Sequence, residues 1–198
     1  MLKMIKICGL TDKAAVAAAV AAGADAVGFV FADSPRRVSA GYAAEIAADV
    51  PREVLRVAVM RHPSDAEWQN VLTGFEPDVL QTDAADLAEL DIPASVALWP
   101  VYREDSIELA DSLPATFLYE GENSGSGEPV DWVRAAEYAR RGRMILAGGL
   151  CAGNVAAAIV RVAPWGVDVS SAVESAPGCK DTKKIAAFIK AARSVDAN

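Results

Sequence analysis

An eightfold alternation of short apolar runs with alanine-rich helical patterns predicts a single α/β domain over residues 1–198, folded as a (β/α)8 (TIM) barrel. The apolar runs are continuous, as in parallel strands buried on both faces, instead of alternating with polar residues. No long insertion or interdomain linker interrupts the series. The length of 198 residues lies at the lower edge of the roughly 200 to over 400 residues that such barrels span. A doubly wound open sheet is the alternative, but it usually has fewer strands and does not so readily use eight evenly spaced units.

The strands are expected at Met4–Cys8, Ala26–Phe31, Val54–Met60, Asp78–Gln81, Ser95–Val101, Thr116–Glu120, Met144–Ala147 and Val167–Ser170. Helical patterns follow them at 12–23, 39–50, 64–75, 83–90, 104–113, 131–142, 152–163 and 181–194. Helix starts show Ser, Thr, Asp or Asn and several ends show Gly, as capping prefers. The segment 83–90 is the shortest of these patterns. The polar, glycine-rich stretch "EGENSGSGEP" at 120–129 reads as a loop between a strand and a helix.

Composition narrows the function. Apolar residues make up 53% and charged residues 23%, the balance of a globular chain. A net charge of −8 with no basic stripe argues against nucleic acid as a partner. An anionic ligand must therefore be met by a few placed cations and backbone amides. Three cysteines at unpaired spacings, with no secretory segment, suggest reduced thiols and a cytoplasmic setting. No segment approaches the roughly 20 apolar residues of a membrane span. The oligomeric state is left open between monomer and homodimer.

In a barrel of this kind the chemistry sits at the strand C-termini and the loops beyond them. Strand one ends in Cys8, "DSPRR" with Arg36 follows strand two, strand four ends in Gln81, and strand six ends in Glu120. Strand seven ends in "AGGL", with Gly148 and Gly149. Strand eight carries Asp168 and runs into Ser170 and Ser171. The loops after strands seven and eight often form a phosphate site, in which bare glycine amides and a helix N-terminus approach the anion. A thiol at one strand end and a carboxyl at another make a plausible base and acid.

Other chemistries find no footing. A lone histidine, His62, gives neither a metal-ligand cluster nor a Ser-His-Asp set, and "GGLCAG" lacks the G-x-G-x-x-G spacing of a dinucleotide loop.

The segments "KICGLT", "GFVF…SPRRVS", "SGSGEPVDW", "LAGGL" and "GVDVSSAVE…PGCKD", in that order along nearly the whole chain, resemble the phosphoribosylanthranilate isomerases of tryptophan biosynthesis. The resemblance implies an Amadori rearrangement of a small phosphorylated substrate with no metal or organic cofactor. It assigns the general base to Cys8 and the general acid to a carboxylate after strand six, here Glu120. It places Arg36 at the anthranilate end of the substrate, Asp168 near the sugar ring, and Gly148, Gly149, Ser170 and Ser171 at the phosphate. Gln81 is retained from the family's "QLHG".

Several positions depart from the family pattern. Its acid is usually Asp, so Glu120 adds a methylene; "QLHG" is "QTDA", which introduces Asp83; the glycine after "VDVSS" is Ala172; and "CAGN" stands where a proline is common. If the backbone at Ala172 needs a positive φ, the alanine is strained. Asp83 and Glu122 are the other carboxyls that could serve as acid. Asp168, inside an apolar strand, needs a partner, and the substrate is the expected one. Arg37 and His62 are expected to be exposed, Cys151 and Cys179 to be packing or surface thiols, and Trp99 to face the barrel interior. The alternatives to this function are a related histidine-pathway or dual-substrate phosphoribosyl isomerase and a non-catalytic phosphate-binding barrel. The histidine-pathway enzymes typically use two aspartates, which the Cys8 start argues against.

Overall fold

Eight parallel strands close into a barrel in the order of the sequence, and each pairs with its two neighbours in the chain, the eighth with the first. They are β1 (Met4–Cys8), β2 (Ala26–Val30), β3 (Leu55–Val59), β4 (Val79–Asp83), β5 (Ala97–Arg103), β6 (Thr116–Glu120), β7 (Arg143–Leu146) and β8 (Gly166–Val169). The computed structural model describes residues 2–104, 112–121 and 130–197. The expected barrel is borne out.

Strand alternation divides each run between two environments. Ile5 and Ile7 of β1, Val27 and Phe29 of β2, and Phe117 and Tyr119 of β6 point outward into the large core beneath the helices. Met4, Ala26, Val57, Val79, Trp99, Val101, Leu118, Ile145 and Ala147 form a second, smaller core inside the barrel. Trp99 is therefore interior, as expected. Because both faces are buried, the strands read as unbroken apolar runs.

The helices cover the outer face. Helix α1 (Lys13–Ala22) starts at Asp12, whose side chain accepts from the Ala15 N–H, and stops at Gly23 in the left-handed conformation. Helix α2 spans Ala40–Ile46. Helix α3 (Asp65–Phe75) carries a reciprocal capping box between Ser64 and Glu67. Its Trp68 is fully buried and donates from Nε1 to the Asp91 carbonyl at 2.9 Å. Helices α4 (Trp132–Ala139), α5 (Val155–Val162) and α6 (Thr182–Arg193) complete the described set.

Three features differ from expectation. Residues Ala84–Glu89 form a 3-10 helix instead of an α-helix. The Asp86 carboxylate accepts from Thr82 Oγ1 at 2.6 Å and from the His62 backbone N–H at 2.9 Å, which folds this short segment back onto the ends of β3 and β4. Strand β4 extends through Asp83, which becomes a barrel residue instead of a loop residue. After β8 the chain forms an unexpected hairpin, β9 (Glu174–Ala176) and β10 (Cys179–Lys180), turning at Pro177–Gly178. Most of the expected helix at 104–113, and residues 122–129 with Glu122, lie outside the described residues.

Candidate active site

The inward-facing positions change from apolar to polar at the C-terminal end of the barrel. There Cys8, Gln81, Asp83, Arg103, Glu120, Asp168 and Ser170 line one pocket, together with Arg36 and Arg61 from the loops after β2 and β3. The sequence-derived pair, Cys8 on β1 and Glu120 on β6, thus opens onto a single cavity. So do Arg36, Gln81, Asp168 and Ser170.

Cys8 is buried and pairs in register with Gly28 of β2. A Cβ at Gly28 would sit 3.1 Å from Cys8 Sγ and 3.0 Å from Lys6 Cε, so that position has no room for a larger residue. Burial pushes the Cys8 thiol above its ordinary value, while Lys6 and Lys180 draw it down and Asp168 adds to the rise. Immediately beyond, Gly9 has φ +73°, and a Cβ there would come within 2.6 Å of Arg36 Cδ. Glycine at that turn lets the Arg36 side chain lie across the end of β1.

Arg36 is held at two points by Glu174 of the hairpin, Nε at 2.6 Å and Nη2 at 3.0 Å. Lys180 Nζ donates to the same carboxylate at 2.8 Å and to the Ser170 carbonyl at 2.9 Å. Burial alone would raise Glu174, but the bonds from Arg36 and Lys180 hold its carboxyl below the usual range. The hairpin is tied back to the barrel by Thr11 Oγ1, which donates to the Gly178 carbonyl at 2.7 Å.

On the opposite wall Arg103 joins two carboxylates. It donates from Nη1 to Asp83 Oδ1, and its Nη2 lies 3.3 Å from Glu120 Oε1. Asp83 also lies 3.4 Å from His62 Nε2, and Asp86 lies 2.8 Å from His62 Nδ1. The sequence reading did not anticipate this grouping of His62, Asp83 and Asp86. The two aspartates face different nitrogens of the ring, Asp86 at hydrogen-bond distance from Nδ1 and Asp83 farther off at Nε2. His62 is exposed, as expected, with φ 47°.

Asp168 has a protein partner, which corrects the expectation that the substrate alone would satisfy it. Lys6 Nζ donates to its Oδ1 at 2.9 Å, and the two residues are opposite one another in the β1–β8 register. Gln81 Oε1 is a buried acceptor with no hydrogen-bond partner among the described residues.

Gly148 and Gly149 have φ 85° and 63°, so two successive positions after β7 use a conformation that side chains rarely adopt. Asn154 locks this loop by donating from Nδ2 to the Gly149 carbonyl at 2.8 Å and accepting from the Cys151 N–H at 2.7 Å. Ser171 begins a 3-10 turn through Val173, and Ala172 within it has no positive φ. The strain considered for Ala172 is therefore absent. Cys151 and Cys179 are free, partly buried and exposed respectively, and Arg37 is exposed.

A family model described as N-(5'-phosphoribosyl)anthranilate (PRA) isomerase matches residues 5–191. The chain belongs to that family. An N-(5'-phosphoribosyl)anthranilate isomerase of Listeria monocytogenes is 36% identical over 205 residues, covering 98% of this chain and 100% of its own. A TrpF from Jonesia denitrificans has a solved structure that is 36% identical, with a TM-score of 0.82 over 98% of both chains. A phosphoribosyl anthranilate isomerase solved in complex with reduced 1-(o-carboxyphenylamino)-1-deoxyribulose 5-phosphate is 31% identical, with a TM-score of 0.81 over 98% of this chain and 100% of its own. The family and the enzyme class expected from the sequence, an isomerase of aldose–ketose type, are borne out.

Residues of the site that the sequence reading did not name include Lys6, Arg61, Arg103, Glu174 and Lys180. Lys6 alone left a local signal, since it lies two positions before Cys8 on the same strand face and shares its wall of the barrel. No helix among the described residues is long and apolar enough to cross a membrane.

Proposed function

We propose that this chain converts N-(5'-phosphoribosyl)anthranilate to 1-(2-carboxyphenylamino)-1-deoxyribulose 5-phosphate in tryptophan biosynthesis, with Cys8 as general base and Glu120 as general acid. The observation that carries the reading is the shared pocket: Cys8 and Glu120 enter it from β1 and β6, with Arg36 and Ser170 at its rim.

Glu120 gives its proton to the furanose ring oxygen as the C1'–O bond breaks. The anthranilate nitrogen supplies the electron pair that forms the C1'=N iminium. Cys8 thiolate then takes the C2' proton, and the C–H electrons neutralise the iminium to give an enolamine. Tautomerisation of the enolamine yields the ketone. The substrate nitrogen is the electron sink throughout, so the residues need only move protons and hold charge.

Arg36, fixed by Glu174, holds the anthranilate carboxylate. The glycine amides at 148 and 149, with Ser170 and Ser171, receive the phosphate. Asp168 and the buried acceptor of Gln81 face the sugar hydroxyls. These cations and amides suit a substrate with two anionic ends, a carboxylate and a phosphate, in a chain whose net charge is −8.

The whole chain acts as one barrel domain, as a monomer or homodimer. The three free thiols accord with a reducing, cytoplasmic setting.

Growth of a tryptophan auxotroph expressing this chain tests the activity. Well-expressed protein that fails to restore growth, and fails to turn over the substrate in vitro, would leave a phosphate-binding barrel without this activity.

A further inference from the structure

Lys6 is wholly buried inside the barrel, directly beneath the pocket. An ammonium in that position is costly unless it is paired and hydrogen-bonded. Asp168 supplies one anionic partner at 2.9 Å from the facing strand. The second neighbour is Cys8, two residues along the same strand and on the same face. The missing side chain at Gly28 leaves the space in which Lys6 Cε and Cys8 Sγ lie, 3.0 and 3.1 Å from where a Cβ would stand and so closer than ordinary van der Waals contact. Lys6 is held above its ordinary value against the opposing effect of burial by Asp168 and then by Cys8. A fold has little need of such a pair, because well-packed apolar residues of similar volume are commonly as stable.

We propose that Lys6 is the positioning residue of the reaction base: its buried ammonium, set between Cys8 and Asp168, stabilises the Cys8 thiolate and fixes the Asp168 carboxylate beside the sugar. The proposal rests on Cys8 acting as the base. When Cys8 gives up its proton, Lys6 serves two anions and the cluster gains one negative charge. When the thiolate takes the C2' proton, that charge is discharged and Lys6 returns to its single partner. The other charged groups near Cys8 are Lys180 on β10 and Arg36 after β2, with Asp83, Arg103 and Glu120 across the pocket and Asp33 and Arg61 at its rim. The Lys180 side chain is also shut off from water, but its ammonium is engaged by Glu174 and the Ser170 carbonyl, whereas Lys6 is wholly buried on the strand that carries Cys8, where a charge acts with little screening.

The test is the pH titration of the Cys8 thiolate by its ultraviolet absorbance, in full-length protein with Cys151 and Cys179 replaced by Ser and with Cys8→Ser as the blank. Lys6→Met is expected to move the Cys8 midpoint to higher pH. The rising limb of kcat/KM moves with it, and neutral-pH kcat falls by at least about tenfold while KM changes less. If Lys6→Met does not fold, Lys6→Met/Asp168→Asn is compared with Asp168→Asn, a pair that differs only in the Lys6 charge. A Cys8 midpoint unmoved by loss of Lys6 overturns the proposal, even if activity is lost. Full activity in Cys8→Ser overturns instead the assignment of the base, and the absorbance titration reads the Lys6 effect independently of that result.

Discussion

Arg36 and Glu174, 138 positions apart in the chain, form a two-point ion pair at 2.6 and 3.0 Å beside the end of β1. An arginine held at two points loses little orientational freedom when it meets a planar carboxylate. Glu174→Gln is therefore expected to raise KM by roughly tenfold, about 1.4 kcal/mol of binding, with a smaller effect on kcat. Steady-state kinetics that show kcat falling and KM unchanged would place Glu174 in the chemistry and not in substrate positioning.

The same carboxylate affects acid stability. Glu174 is held below the ordinary carboxylate range, so its contribution is present above the unfolded value and is lost as pH falls through the lower folded value. Urea unfolding across the acid range is expected to show a shallower pH dependence in Glu174→Gln than in the parent. At neutral pH that variant should be less stable by about 3 kcal/mol, since Arg36 and Lys180 lose a shared buried partner. Superimposable acid limbs in the two proteins would count against the linkage.

Cys8→Ser is expected to lower turnover by at least about 100-fold, the usual size of a general-base contribution, while a product analogue binds with nearly unchanged affinity. Calorimetric binding beside single-turnover rates separates the two effects. Loss of binding on the same scale as turnover would mean that the thiol holds the ligand and does not take the proton.

Because burial raises the Cys8 thiol, the thiolate fraction grows as pH climbs into the alkaline range. kcat/KM should accordingly rise with pH, with a midpoint above that of an ordinary thiol, and this limb should vanish from the residual activity of Cys8→Ser. A limb that persists in that variant belongs to another group.

For the acid, Glu120→Gln is expected to be nearly inactive and Glu120→Asp to retain measurable turnover. Arg103 grips Asp83 as well as Glu120, so Asp83→Asn should perturb the site more mildly, by loosening that arginine. If Asp83→Asn is the more damaging change, the acid is Asp83.

Gly28→Ala puts a methyl about 3 Å from both Lys6 and Cys8 in a wall with no spare room. Its thermal midpoint should fall by several degrees, equivalent to about 1–3 kcal/mol, and its kcat should fall further than folding loss explains. An alanine variant with parental kcat would show that the crowding is relieved without moving the base.

The barrel was legible because its causes are local. Each strand is a short apolar run, and caps such as Asp12, Ser39, Ser64 and Asp181 lie beside the helices they start. Cys8, Arg36, Glu120 and Asp168 could be read because motifs flank them. Their partners could not be, since Lys6 meets Asp168 across 162 positions and Glu174 meets Arg36 across 138. Such pairings arise only when β8 closes on β1, and nothing local in sequence encodes them. The 3-10 segment at 84–89 was misread for a similar reason: its shape depends on bonds to Asp86 from Thr82 and from the distant His62 backbone.

The hairpin after β8 has a consequence for the order in which this molecule becomes an enzyme. Arg36 emerges early from the ribosome, but Glu174, which holds it, and Lys180, which braces Glu174, emerge after every barrel strand has been made. Lys6 likewise has no counter-ion until Asp168 is in place. A nascent chain that stops short of the hairpin lacks the carboxylate that fixes Arg36 at two points. The fixed Arg36 and the paired Lys6 are therefore completed only when synthesis has reached the far end of the barrel.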